Sequence, residues 1–215
     1  MQPREVLIFF VCLVTAVILH EISHGVVALW LGDDTAKRAG RLTLNPIPHI
    51  DPFGSLILPA MGALTGLPIL GYAKPVPVNP ARLRNPRRDM VFVSLAGPAT
   101  NFTLMAIAAY GARYVYHHGG ILGGGLSGNG PDLWLDILFV FAFVNLALGL
   151  FNLLPIPPLD GSALIERVLP RDWLPAWYRY RMYGFLVLFG LVFFTNALAT
   201  VLNPFINALQ NFVVG

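Results

Sequence analysis

The chain has little charge. Only 12% of its 215 residues are Asp, Glu, Lys or Arg, against 56% hydrophobic residues and a mean hydropathy of +0.66. Soluble domains carry about 25% charged residues, so the deficit excludes an ordinary soluble domain and points to an integral membrane protein. Cysteine is almost absent. With Cys12 as the single thiol, neither an intrachain disulfide nor a cysteine-based metal site can form. The net charge of +3 has no soluble module to sit on, so it reports membrane topology and not a nucleic-acid partner. The N-terminus also lacks an A-x-A-like cleavage site. Arg4 and an apolar stretch begin as a signal peptide does, but the apolar pattern resumes through residues 26–31, and a permanent first span is expected.

What is present is long apolar sequence. Segments at about 5–31, 90–116, 133–154 and 183–202 each suffice to cross a bilayer, which takes about 20 residues. A further stretch, 53–72, contains Pro59, Gly62, Gly66 and Pro68, which interrupt a helix repeatedly. Basic residues separate two topologies. Lys37, Arg38, Arg41, Lys74, Arg82, Arg84, Arg87 and Arg88 lie between the first two spans, and Arg167, Arg171, Arg179 and Arg181 between the last two, while residues 117–132 have none. If 53–72 dips in and returns, both basic connections share one side, which the positive-inside rule makes the cytoplasm. If it crosses, the cluster at 37–41 moves outside and the count rises to five or six. The expected fold is an all-α polytopic membrane protein of four helices with both termini outside and a re-entrant loop near 53–72. A single membrane-embedded domain would cover 1–215. Trp173, Trp177, Tyr178, Tyr180 and Tyr183, mixed with arginines, read as an interfacial belt. The tail beyond Asn203-Pro204 reads as a broken or kinked extension of the last helix.

Inside the first apolar run stands His20-Glu21-Ile22-Ser23-His24. Two imidazoles and a carboxylate at membrane depth are expensive unless something there requires them. On a helix, positions four apart share a face, so His20 and His24 can bind one metal ion. Glu21 can flank the open coordination position as a general base toward metal-activated water. A catalytic zinc takes three protein ligands, so a third comes from elsewhere. By helix rise, His24 lies about 10 Å beneath the cytoplasmic end of its span. His117, His118 and Asp136 fall near the opposite face. His49 and Asp51 are on the right side, in a turn-rich loop where solvation is expected. Asp160 also arrives on the right side, and Pro155, Pro157 and Pro158 preclude a regular helix before it, so the chain can fold back toward the metal. Asn152 and Asn145 are candidates for polarising a substrate carbonyl or bonding a substrate strand, with interhelical hydrogen bonding an equal alternative. Asn101 is expected to be structural, and Gly97-Pro98 to permit close helix approach.

Three elements, HEISHG at 20–25, AGPATN at 96–101 and FNLLPIPPLDG at 151–161, together resemble the site-2 protease family of intramembrane metalloproteases. GYAKPVPVNP at 71–80 resembles a loop of its compact, stand-alone members. The resemblance implies a core of three helices, two of them parallel and carrying the ligands. It implies one Zn2+ per chain held by His20, His24 and Asp160, with Glu21 as base, and a re-entrant segment akin to the relatives' membrane-inserted β-loop. Ser162 departs from the second glycine that often follows the LDG element. No PDZ or CBS domain is visible, so a regulatory partner is unidentified. The activity expected is hydrolysis of peptide bonds within or near transmembrane segments of membrane-protein substrates. The setting expected is a prokaryotic plasma membrane, with the site toward the cytoplasm. A substrate helix would unwind and pair as a strand, with the loop between Asp51 and Pro77 as the expected partner. The rival reading is a non-hydrolytic metal-binding membrane protein. A divalent-metal transporter would not need Glu21, and a pseudoprotease would usually have lost one of the four residues.

Overall fold

Nothing between Pro3 and Trp30 interrupts a helix. Proline occupies its first position, where no intrahelical N–H is needed, and Glu5 sits in its first turn, where the helix dipole favours an acid. The run stops at Gly32, whose φ of +111° is open to glycine and strained for other residues. This helix, α1 (Pro3–Trp30), opens a computed structural model that describes residues 3–51, 74–118 and 133–215. It is followed by α2 (Thr35–Arg38), α3 (Pro86–His118), α4 (Leu133–Asn152), α5 (Ser162–Val168), α6 (Leu174–Arg181), α7 (Gly184–Phe194) and α8 (Ala197–Val214). Short 3-10 turns lie at Ile47–His49, Pro80–Arg82 and Arg171–Trp173, and no strand occurs among the described residues.

Among the described residues, three helices, α1, α3 and α4, are long and apolar enough to cross a membrane. At about 1.5 Å per residue, α4 matches the ~30 Å hydrocarbon layer, and α1 and α3 exceed it. Their relative directions follow from two contacts. The Arg4 guanidinium meets Asp136 at 2.9 Å, joining the starts of α1 and α4, so these two run parallel. Arg84 N–H donates to the Leu31 carbonyl at 3.2 Å, joining the end of α1 to the approach to α3, which therefore runs back. The three-helix core thus has the arrangement expected of it.

Small residues set the packing. Ala108, Ala109 and Ala112 of α3 face Ala142 and Leu146 of α4, with Leu209 and Val213 of α8 closing the cluster. Cys12 and Ala16 of α1 pack against Val144 of α4. Lipid is as apolar as leucine, so membrane helices associate through close van der Waals contact, which short side chains allow.

Three sequence expectations change here. The apolar stretch 183–202 is not one helix. It is divided at Thr195 and Asn196 into α7, of 11 residues, and α8. Thr195 is extended (φ −136°, ψ 160°), its hydroxyl donating back to the Leu191 carbonyl at 2.7 Å, and α8 restarts on the Asn196 carbonyl, which accepts Thr200 N–H at 2.8 Å. Such polar side chains offer the backbone partners that compete with a continuous helix. The break therefore precedes the Asn203-Pro204 position expected, and α8 continues through Pro204. His49 is buried, not solvated, with its Nε2 3.0 Å from the Thr43 carbonyl. The stretch 53–72 and most of the glycine-rich loop lie outside the described residues.

The connection beyond α1 is tied down by buried charge. Asp33 accepts N–H bonds from Thr35 at 3.0 Å and Asn79 at 2.6 Å, and also the Thr35 hydroxyl. Burial works to raise its pKa, but these bonds, with Arg82 nearby, outweigh it and hold the carboxyl below its ordinary value. A depressed carboxylate pKa stabilises the fold above the unfolded value of about 3.9, and that contribution is lost as pH falls through the folded value. The detergent-solubilised protein should therefore lose thermal stability below about pH 4. Asp33→Asn should melt lower at neutral pH and show a flatter acid limb, read by a pH series of melting curves. Labelling in sealed vesicles tests the crossing: Lys37→Cys and His118→Cys should react from opposite faces, and reaction from one face would contradict a spanning α3.

Candidate metal centre

Four residues apart on α1, His20 and His24 turn their rings toward α3 and are buried. Gly97 of α3 makes room for them. A Cβ there would lie 2.6 Å from the Nε2 atom of either ring, so the imidazoles rest on bare helix backbone. Asp160 comes from the turn that follows α4. Pro155, Pro157 and Pro158 cannot donate to a helix, and the chain doubles back until Gly161 N–H donates to the Asn152 carbonyl at 2.7 Å. Gly161 is required there, because a side chain would strike the Leu153 and Leu154 carbonyls. This closed turn aims the aspartate at α1.

The three groups converge. His20 Nε2 and His24 Nε2 are 3.1 Å apart, and Asp160 Oδ2 lies 3.2 Å from the first and 3.4 Å from the second. Ligand bonds of about 2.05 Å at tetrahedral angles would separate neighbouring donor atoms by about 3.3 Å. The spacing present is therefore what one zinc ion requires. Among the described residues this is the group of His, Cys, Asp or Glu side chains able to hold a metal.

Hydrogen bonding supports the same reading. His24 Nδ1 faces the Val93 carbonyl at 2.6 Å. A carbonyl only accepts, so this nitrogen carries the proton and Nε2 presents a lone pair. For His20 the assignment runs through a chain of amides. The Phe141 carbonyl accepts from Asn145 Nδ2 at 2.8 Å, Asn145 Oδ1 accepts from Asn101 Nδ2 at 2.9 Å, and Asn101 Oδ1 faces His20 Nδ1 at 2.6 Å. Starting from a backbone acceptor, each amide orientation follows, so His20 Nδ1 also carries its proton. Two imidazole lone pairs and the buried Oδ2 of Asp160, which finds no hydrogen-bond donor, then face one another. Such a cluster repels itself unless a cation lies between its members.

Glu21, the neighbour of His20, is not among the converging three; its Oε2 accepts the Val76 N–H at 2.8 Å. The other candidates stand apart from the trio. Asp136 pairs with Arg4, and His117 and His118 end α3. Asn145 has no exposed surface and both ends of its amide are committed, so it holds the ligand chain and cannot meet a substrate carbonyl. Asn152 is half-buried, its Nδ2 donating to the Leu148 carbonyl at 3.0 Å, while its main-chain oxygen anchors the Asp160 turn. Asn101, expected to be structural, touches His20 directly. Its place in AGPATN was the available signal, but the partner lies 81 residues away in the chain.

Comparison with known proteins gives a consistent picture. Residues 119–195 match the profile of Peptidase family M50. The chain is 39% identical over 198 residues to "Putative zinc metalloprotease YwhC" of Bacillus subtilis, covering 92% of this chain and 85% of that one. It is 35% identical over 151 residues to "Putative zinc metalloprotease Rip2" of Mycobacterium tuberculosis, covering 69% of this chain and about half (52%) of that one. The Mycolicibacterium smegmatis protein of the same name is 31% identical over 175 residues, covering 81% and 62%. No solved structure matches the chain.

The amide chain generates a test. Removing groups that orient metal-bound histidines typically costs about 10–100-fold in metal affinity. Asn101→Ala should weaken zinc binding on that scale in chelator competition, and Asn145→Ala should weaken it less. Wild-type affinity in Asn101→Ala would reduce the chain to packing.

Proposed function

The chain belongs to peptidase family M50, that of the site-2 proteases, and we propose that this metalloprotease is an intramembrane zinc endopeptidase. It hydrolyses peptide bonds within or near transmembrane segments of membrane-protein substrates. The observation that carries this reading is the trio His20, His24 and Asp160, spaced for one tetrahedral ion within a bundle of three apolar helices. His24 lies six residues before the end of α1, about 9 Å by helix rise. The site is thus inside the membrane but close to one surface. That surface bears Lys37, Arg38, Arg82, Arg84, Arg87 and Arg88, and the positive-inside rule makes it cytoplasmic. The bacterial relatives favour the plasma membrane.

His20, His24 and Asp160 would hold the ion, which when bound supplies a Lewis acid for the scissile carbonyl and acidifies the attacking water. Asn101 and the Val93 carbonyl keep both rings in the tautomer that offers Nε2. Glu21 takes the proton from the attacking water and passes it to the leaving amine, general acid–base work that needs a carboxylate beside the ligands but not among them. This is what separates an enzyme from a transporter, which would use the three ligands and leave Glu21 idle.

A substrate helix must unwind, because its carbonyls are otherwise engaged within the helix. Strand pairing with the loop reaching Pro77 is constrained by the backbone already in place. Lys74 N–H donates to His49 at 2.9 Å, Val76 N–H is taken by Glu21, and Pro75 and Pro77 have none. Residues 74–77 can accept from a substrate strand but cannot donate to it, so a two-way ladder needs donors from beyond them.

Purified protein and a model transmembrane substrate test the reading. Glu21→Gln should retain zinc while losing about 10²–10⁴-fold in turnover. Asp160→Ala should lose zinc itself, and chelation should abolish cleavage until zinc is restored. Cleavage by zinc-loaded Glu21→Gln at the wild-type rate would refute the role of Glu21.

A further inference from the structure

The Glu21 carboxylate is held by a part of the chain that the ligand set does not include. Its Oε2 accepts the main-chain N–H of Val76 at 2.8 Å, from a segment 55 residues downstream. We propose that the Val76 N–H is a positioning group for Glu21, and that the Lys74-Pro75-Val76-Pro77 segment exists to present it. This rests on the protease reading above and deepens it.

The local sequence favours that presentation. Proline fixes its own φ and confines the residue before it to extended conformations. With prolines at 75 and 77, the conformations of Lys74 through Pro77 are all restricted, so the direction of the one N–H between the prolines is largely set before folding. The segment is also clamped at both ends. Arg41, a buried guanidinium, donates to the Lys74 carbonyl at 2.7 Å, and Lys74 N–H donates to His49. Beyond Pro77, Asn79 N–H donates to the buried Asp33 at 2.6 Å. Two charges buried outside the metal centre are thus spent on fixing the ends of a short extended run.

Close approach completes the device. Val76 is buried against the face of α1 that carries Glu21 and, one turn on, Gly25. A Cβ at Gly25 would stand 2.5 Å from Leu42 Cδ2 and 2.9 Å from Val76 Cγ1, so glycine makes room for Leu42 and for the segment whose N–H reaches the carboxylate. A glutamate side chain otherwise turns freely about several bonds, and a base must stand at hydrogen-bond distance from the proton that it takes. One fixed donor on one oxygen removes most of that freedom.

The experiment compares Val76→Pro, which deletes the N–H while suiting an extended run, with Val76→Ala, which keeps the N–H and trims the side chain. Zinc per chain, kcat and KM are measured on a model transmembrane substrate. Val76→Ala should retain kcat within about threefold, and Val76→Pro should fall about 10²-fold below it, with zinc content and KM held, as expected for a misplaced catalytic group. Equal kcat in the two Val76 variants would overturn the proposal. So would loss of zinc from Val76→Pro, since the segment would then be supporting the ligands. A zinc-loaded wild type that cleaves nothing would instead overturn the protease reading, and this proposal with it.

Discussion

Three electron-rich atoms, two imidazole nitrogens and a carboxylate oxygen, face one another across 3.1–3.4 Å in the interior of a helix bundle. In that low-dielectric setting their mutual repulsion is large unless a cation joins them, and the rest of the architecture answers to this constraint. Parallel α1 and α4 bring the three groups to one level. Gly97 admits the rings, and the proline-rich turn closed by Gly161 returns the carboxylate. The chain of amides from Phe141 through Asn145 and Asn101 prevents His20 from presenting its other nitrogen. Each feature alone would be an ordinary device of membrane-helix packing. Their convergence on one point gives them a chemical sense.

The same logic separates the proposed ligands from the proposed base. Glu21 shares a helix with both histidines, yet it stands outside the converging trio and is held by backbone from the following connection. The ligands are fixed from α3 and α4, inside the bundle. The base is fixed from its surface side, by residues 74–79 and the buried Asp33 and Arg41 that anchor them. A centre split in this way can keep its metal while the positioning of its base changes, because the two depend on different contacts.

Much of this was legible in the sequence, for reasons that are local. Apolar length marks α1, α3 and α4, since a bilayer demands it, and the i, i+4 spacing of His20 and His24 places them on one face of any helix. Basic residues marked a common side. Where the reading failed, a few polar residues had contacts that composition does not show. The stretch 183–202 has the composition of a span, but Thr195 and Asn196 divide it. His49, in a polar loop, proves to be buried. Asn145 carried two readings of equal weight, and its neighbours decided between them.

By itself the sequence determined the membrane setting, the two-histidine helix and the short list of possible third ligands, because hydropathy and helical period are properties of neighbouring residues. Family resemblance had already pointed to Asp160, and tertiary structure decided the distances at which it meets the histidines, that Asn101 and Asn145 serve His20, and that Val76 holds Glu21. Those pairs are separated by 44 to 140 positions, and their meeting depends on how whole helices pack and where a proline-rich chain is pinned. No local rule carries that information, since it is fixed by packing and hydrogen bonding across the bundle.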